Sequence, residues 1–256
     1  MNTFSLKNKN VVITGGTAGI GLGVAAHFAS AGANVVITGR RDSANEVAAK
    51  IGARAVPMYV NDRSSVESAM GSAAAMLDGR IDTLILNAGI DQPAGFIDEL
   101  DLDTFRRVLE TNLFGVVYCL RAGLAYMQAG SSVIVTSSPA GVLLAPGMSA
   151  YSVSKAAVNT LVKQYALELG PRGIRINAVL PGLVATEMQA GSTGSDEQIL
   201  CMTVNDCMRQ PADMAPVFQF LASDAAAPVT GGIIAADDGI SAGISPGLLS
   251  RAFGNH

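Results

Sequence analysis

A chain of 256 residues, about half hydrophobic and only 15% charged, can bury one large α/β core or two small ones. The net charge of −4 and a pI near 5.1 give no basic surface for nucleic acid. Three cysteines and two histidines form no metal-ligand pattern and suit a reducing cytosol, and the separate apolar runs fall well short of the roughly 20 residues of a membrane span. The polar start has no signal-peptide core. The expectation is a cytoplasmic protein, away from membranes, with a small-molecule partner.

In chain order the pattern alternates. Strands are predicted over 10–14, 34–38, 55–60, 83–87, 132–137, 175–180 and 232–236, and helices over 19–31, 43–51, 64–77, within 103–127, and over 149–170. Apolar strands separated by helices imply a doubly wound parallel sheet of about seven strands in a single domain spanning 1–256. The poorly patterned stretch near 186–208 is long enough for a lid.

The glycine-rich run Thr14-Gly15-Gly16-Thr17-Ala18-Gly19-Ile20-Gly21 leaves the first strand and opens the first helix. Glycines allow a tight turn and close approach to a pyrophosphate at the positive helix end. Ordinary turns also use glycine, but the strand–loop–helix setting favours a dinucleotide. The second strand ends in Gly39-Arg40-Arg41, with no carboxylate until Asp42. Arginine there suits the additional phosphate of NADP(H), with NAD(H) as the lesser possibility.

Neither histidine is placed to act as a base: His27 lies just beyond the glycine turn and His256 is last. Tyr151 and Lys155 stand four apart on the 149–170 helix, so phenol and amine share one face. Ser149 reads as its N-cap, Gly170-Pro171 as its stop, and Val153, Ala157, Leu161, Val162, Tyr165 and Leu169 as its buried stripe. An ammonium about 4 Å from a phenol, at an effective dielectric near 20, favours the phenolate by about 4 kcal/mol. That attraction moves the phenol toward the working range of a general acid–base. Tyr-x-x-x-Lys alone also occurs on many structural helices.

Together, Gly15-x-x-x-Gly19-x-Gly21, Asn87-Ala88-Gly89, Asn112, Ser138, Tyr151-x-x-x-Lys155 and Pro181-Gly182 have the order and spacing of the short-chain dehydrogenase/reductases, which the chain resembles from Lys9 to about Gly239. The resemblance implies a Rossmann-like fold and an oxidoreductase. It makes Tyr151 the general acid–base and gives Lys155 the tasks of lowering the phenol's pKa and holding the nicotinamide ribose. Ser138 would orient the substrate oxygen, and Asn112 would place a water in a proton relay. The implied cofactor contacts are Gly15, Thr17, Gly19, Ile20 and Gly21 in the loop, Arg40 and Arg41, and Asn87, Ala88 and Gly89 beside the adenosine. Tyr151, Lys155, Pro181, Gly182, Val184 and Thr186 complete the set around the nicotinamide. Tyr59 stands where relatives often hold adenine with an aspartate, either to stack or to pack in the core, with Asp62 three residues later.

A pocket formed by 90–96, 139–148 and the lid offers Val142, Leu143, Leu144, Met148, Met188, Leu200 and Met202 as an apolar wall. From Thr186 to Met208 there is no Lys or Arg, whereas Glu187, Asp196, Glu197 and Asp206 are present. A neutral ketone or secondary alcohol therefore fits better than a 3-oxoacyl thioester. A dehydratase or epimerase on the same scaffold and a non-catalytic NADP-binding sensor or scaffold are the other readings. Relatives commonly form tetramers, so a homo-tetramer or dimer is expected, with the apolar tail 240–256 packed on a neighbouring subunit.

Overall fold

The computed structural model describes residues 2–190 and 199–253. Seven strands form one parallel sheet in the order β3-β2-β1-β4-β5-β6-β7. They are β1 (Asn10–Thr14), β2 (Asn34–Gly39), β3 (Arg54–Pro57), β4 (Thr83–Leu86), β5 (Ser132–Thr136), β6 (Arg175–Pro181) and β7 (Ile233–Ala236). The central strands are buried on both faces, which explains why Val11-Val12-Ile13 and Val133-Ile134-Val135 read as unbroken apolar runs.

Helices α1 (Gly19–Ser30), α2 (Ala44–Lys50), α3 (Arg63–Met76), α4 (Leu102–Leu109), α5 (Gly115–Gly123) and α6 (Ser149–Leu169) cover the sheet. They are joined by α7 (Glu187–Ala190), α8 (Pro211–Ala222) and α9 (Pro246–Phe253). Val66, Met70, Val116, Leu120, Val158 and Val162 fill one face, and Val24, Phe28, Phe218 and Leu221 fill the other. Burying such side chains stabilises by about 1.5–3 kcal/mol each.

Several local expectations are corrected. The third strand stops at Pro57, and Asp62 caps α3 by accepting from Ser64 N at 2.8 Å and Ser65 N at 3.1 Å. The 103–127 helix is not uniform: a π-helical turn, Glu110–Phe114, separates α4 from α5, and a 3₁₀ turn, Leu124–Tyr126, closes it. As one continuous span, Leu102–Tyr126 has 25 residues and a hydropathy of 1.2, long and apolar enough to cross a membrane by composition. Here Val116, Cys119 and Leu120 turn that apolarity into the core.

Met148, not Ser149, is the N-cap residue of α6, and it supplies no side-chain bond. The buried face of α6 is also rotated from the expected one. Ala150, Ser154, Lys155, Val158, Val162 and Leu169 face inward, whereas Val153 is 49% exposed. Helix α8 is absent from the sequence reading. Gln210 and Asp213 form a reciprocal capping box around Pro211 at its start, while Pro216 lies inside it and disguises it.

Candidate active site

The site gathers where the strand order reverses, at the C-terminal ends of β1 and β4. Thr14 Oγ1 accepts from Asn87 N at 3.0 Å and Ala88 N at 3.1 Å. Asn87 Nδ2 donates to the carbonyls of Thr14 and Gly15, both at 3.2 Å, and Thr136 Oγ1 donates to Asn87 Oδ1 at 3.2 Å. The two loops are thereby locked face to face. Gly15 has φ +65, and a Cβ there would lie 2.9 Å from Ala88 Cα. A Cβ at Gly21 would lie 2.4 Å from the Gly15 carbonyl oxygen. Helix α1 begins at Ala18 with no side-chain cap, so its first-turn amides are left for a ligand. Thr17 is buried against Gly39, and Ile20 packs on the core. This cradle, lacking side chains and with uncapped amides, fits a dinucleotide pyrophosphate.

At the end of β2 the two arginines part company. Arg40 is exposed and makes no ion pair among the described residues. Arg41 is committed to Glu187 of α7 through paired hydrogen bonds, one of 3.0 Å from Nη1 to Oε1 and one from Nη2 to Oε2. Tyr59 is 53% exposed, not core, and its N–H donates to Ser65 Oγ at 3.0 Å. Asp62 is occupied as a cap.

Tyr151 lies in the first turn of α6, with Lys155 one turn on and buried. Lys155 Nζ donates to the Thr136 carbonyl at 2.9 Å and lies 5.5 Å from the centre of the Tyr151 ring. Ser138, at the end of β5, receives Ala140 N–H at 3.2 Å and shares a hydrogen bond with the Tyr151 phenol. Burial pushes the phenol up to about 12, aided by the Asp91 charge and opposed by the Ser138 bond. Burial pulls the Lys155 amine down to about 8, with Asp91 opposing. The expected lowering of the phenol by Lys155 is therefore not what the folded chain does. Burial sets the direction of the shift, which favours the protonated phenol.

Asn112 sits in the π turn, 1% exposed. Its Oδ1 accepts Ile90 N–H at 2.8 Å, while its Nδ2 donates to the Ile90 carbonyl at 2.8 Å and to Ser154 Oγ at 3.2 Å. Ser154 Oγ in turn donates to the Tyr151 carbonyl at 2.7 Å. Asn112 thus clamps the loop after β4 onto α6. Gln92, which the sequence reading passed over, does the same from the other side. Its Oε1 accepts the Tyr151 backbone N–H at 2.9 Å, and its Nε2 donates to the Gly147 carbonyl at 3.0 Å. A capping signal for α6 would have pointed to it only across 59 residues of sequence.

After β6, Gly182 passes so close to Asp237 that a Cβ would lie 2.6 Å from its Cα. Val184 pairs with Arg209 in an isolated bridge, and Thr186 Cγ2 would lie 3.2 Å from a Cβ at Gly19. Pro181, Gly182, Val184 and Thr186 thus run from the sheet to the glycine loop. Residues 191–198, with Asp196 and Glu197, lie outside the described residues. The following segment is anchored by the Arg209–Asp238 ion pair and by Ser245 Oγ donating to the Cys201 carbonyl. Gly247 of α9 packs on Cys201, so the root of the apolar tail seats on its own chain. Val142, Leu143, Leu144 and Met188 are exposed, leaving the apolar wall open, and Met148, Leu200 and Met202 are half-buried.

A family profile described as "Enoyl-(Acyl carrier protein) reductase" matches residues 15–241. The cis-4-hydroxycyclohexanecarboxylate dehydrogenase of Sinomonas cyclohexanicum is 38% identical over 239 residues, covering 90% of this chain and 96% of its own length. The NADP-dependent (R)-specific alcohol dehydrogenase of Lentilactobacillus kefiri is 34% identical over 251 residues, 94% of this chain and 99% of its own. Among solved structures, the 3-ketoacyl-(acyl-carrier-protein) reductase of Brucella melitensis complexed with NADH superposes with a TM-score of 0.87 at 28% identity. That match covers 93% of this chain and 100% of the other.

Proposed function

The chain belongs to the short-chain dehydrogenase/reductase family, and from that premise we propose that it is an NADP(H)-dependent oxidoreductase interconverting a neutral ketone and a secondary alcohol. One observation carries the reading. The Tyr151 phenol, the Ser138 hydroxyl and the Lys155 amine meet beside a glycine cradle at the sheet's switch point. A bound nicotinamide dinucleotide supplies the hydride. Gly15, Gly19 and Gly21 leave room for its pyrophosphate, Asn87, Ala88 and Gly89 border its adenosine side, and Arg40 is the cation available for a ribose phosphate.

The protein's own part is proton handling. Tyr151, whose protonated form burial favours, donates its proton to the substrate oxygen, and Ser138 orients that oxygen. Lys155, held by Thr136, keeps the phenol in place. Asn112 and Gln92 fix the loop that faces it. The segment 186–208 acts as the lid of this single domain. The protein works in the cytoplasm as a homo-tetramer or dimer, without nucleic-acid or membrane partners; the exposed Val153 and Phe114 on α6 and the π turn support an inter-subunit face.

The test is cofactor absorbance during turnover with NADPH and NADH, across neutral ketones and acyl thioesters. Tyr151→Phe should lower kcat by about 10²–10⁴ while cofactor affinity stays within twofold. Cofactor binding without turnover of any ketone or alcohol would overturn this reading in favour of a sensor. The Brucella melitensis neighbour favours a second substrate, a 3-oxoacyl thioester. Against it, residues 183–208 contain no Lys or Arg to meet a carrier phosphate.

A further inference from the structure

The loop after β4 is fastened to the catalytic helix on both sides of one residue, Asp91. Before it, a Cβ at Gly89 would lie 3.7 Å from Lys155 Nζ, and both backbone groups of Ile90 are taken by Asn112. After it, the buried Gln92 amide holds the Tyr151 N–H and the Gly147 carbonyl. The backbone at Asp91 is therefore fixed beside the catalytic pair.

Its carboxylate is only half used. One oxygen accepts the Gln92 N–H at 2.8 Å, and among the described residues no cation pairs with it. Its charge is felt at both Tyr151 and Lys155, which brings it within Coulomb range of the reacting groups. The segments bordering the site, 90–101, 137–150 and 183–208, contain no Lys or Arg, and the buried Lys155 amine, whose charged form Asp91 favours, is already bonded to the Thr136 carbonyl. A half-buried carboxylate with a spare acceptor oxygen beside a reaction centre is unfavourable alone and becomes favourable when a donor arrives.

We propose that Asp91 determines substrate specificity: its spare oxygen accepts a hydrogen bond from a hydroxyl or ammonium on the carbon next to the reacting one, and its charge turns carboxylates away. The inference rests on the ketone–alcohol reading of the site and names the substrate class within it, vicinal hydroxy or amino ketones and their alcohols.

The experiment measures binding of four probes to the full chain with saturating NADP⁺, by calorimetry, for wild type, Asp91→Ala and Asp91→Asn. The probes are propane-1,2-diol, 1-aminopropan-2-ol, propan-2-ol and 3-hydroxybutanoate. Wild type should bind the diol or the amino alcohol about tenfold to a hundredfold more tightly than propan-2-ol, with 3-hydroxybutanoate weakest. In Asp91→Ala that preference should shrink to within about threefold, and in Asp91→Asn 3-hydroxybutanoate should no longer be the weakest. The stronger of the diol and the amino alcohol tells hydroxyl recognition from ammonium recognition. Equal affinities in wild type, or a preference that survives in Asp91→Ala, overturn the inference. Turnover of the same probes separates the two ideas. Selective binding through Asp91 without oxidation sinks the ketone–alcohol reading alone, whereas oxidation of all four without selectivity sinks the role of Asp91 alone.

Discussion

The two halves of the site are built by opposite means. On the cofactor side, between β1 and β2, the fold works by leaving side chains out. Gly15 and Gly21 bring backbone against backbone, where a single methyl would collide, and Gly19 lies close against the Thr186 side chain. On the substrate side, after β4 and β5, it works by adding polar side chains. The amides of Asn112 and Gln92 and the hydroxyl of Ser154 bind loop to helix. The first half is governed by sterics and the second by hydrogen bonds, so substitutions should fail differently in each.

The sharpest way to break the comparison is Gly21→Ala. A methyl 2.4 Å from the Gly15 carbonyl must push the loop apart, which costs about 1–3 kcal/mol of stability and about a hundredfold in cofactor affinity. Fluorescence titration with NADPH and thermal unfolding would show both, and an unchanged Kd would show that the loop yields. Gln92→Leu should do the reverse. Leaving the Tyr151 N–H without its acceptor should lower kcat by about tenfold while the cofactor Kd stays within twofold. A loss confined to cofactor binding would contradict the division.

Lys155→Met probes the cost of the substrate side's charge. Burial of the amine disfavours its charged form, so the folded chain carries that penalty in full below pH about 8. The penalty fades as the pH rises from about 8 toward the unfolded value of 10.5. Set against the lost bond to Thr136, Lys155→Met should gain about 1 kcal/mol at pH 7, and less at pH 10, in chemical denaturation. A gain that grows with pH would reverse the sign of this argument. The smallest effect is expected for Glu187→Gln. Releasing Arg41 from its exposed pair should tighten NADPH about two- to threefold and leave NADH unchanged. Equal changes for both cofactors would remove Arg41 from phosphate recognition.

The same division explains what could be read in the chain beforehand. The sheet and the glycine loop were legible because they rest on local patterns: buried runs such as Val11-Val12-Ile13, and glycines at fixed offsets. The meeting of Ser138, Tyr151 and Lys155 was legible because two of them share a helix face and the third ends a neighbouring strand. Gln92 was not, because its partner is 59 residues away. The direction of the Tyr151 shift was not, because desolvation depends on what the fold closes around the phenol. Tyr59 could be read either as stacking or as core, and only the fold shows it exposed. Helix α8 was hidden by Pro216, a helix breaker in isolation that tertiary packing through Phe218 and Leu221 overrides.

The π turn at Glu110–Phe114 holds one residue more than an α-helical turn requires. Removing that residue would let Leu102–Gly123 close into an ordinary α-helix and abolish the widened turn that carries Asn112. Asn112 could then no longer face Ile90, and the grip on the loop carrying Asp91 would be lost along with it. The length of this one turn acts as a gauge block for the active site: single-residue deletions in it should inactivate the protein far more often than substitutions of its exposed residues.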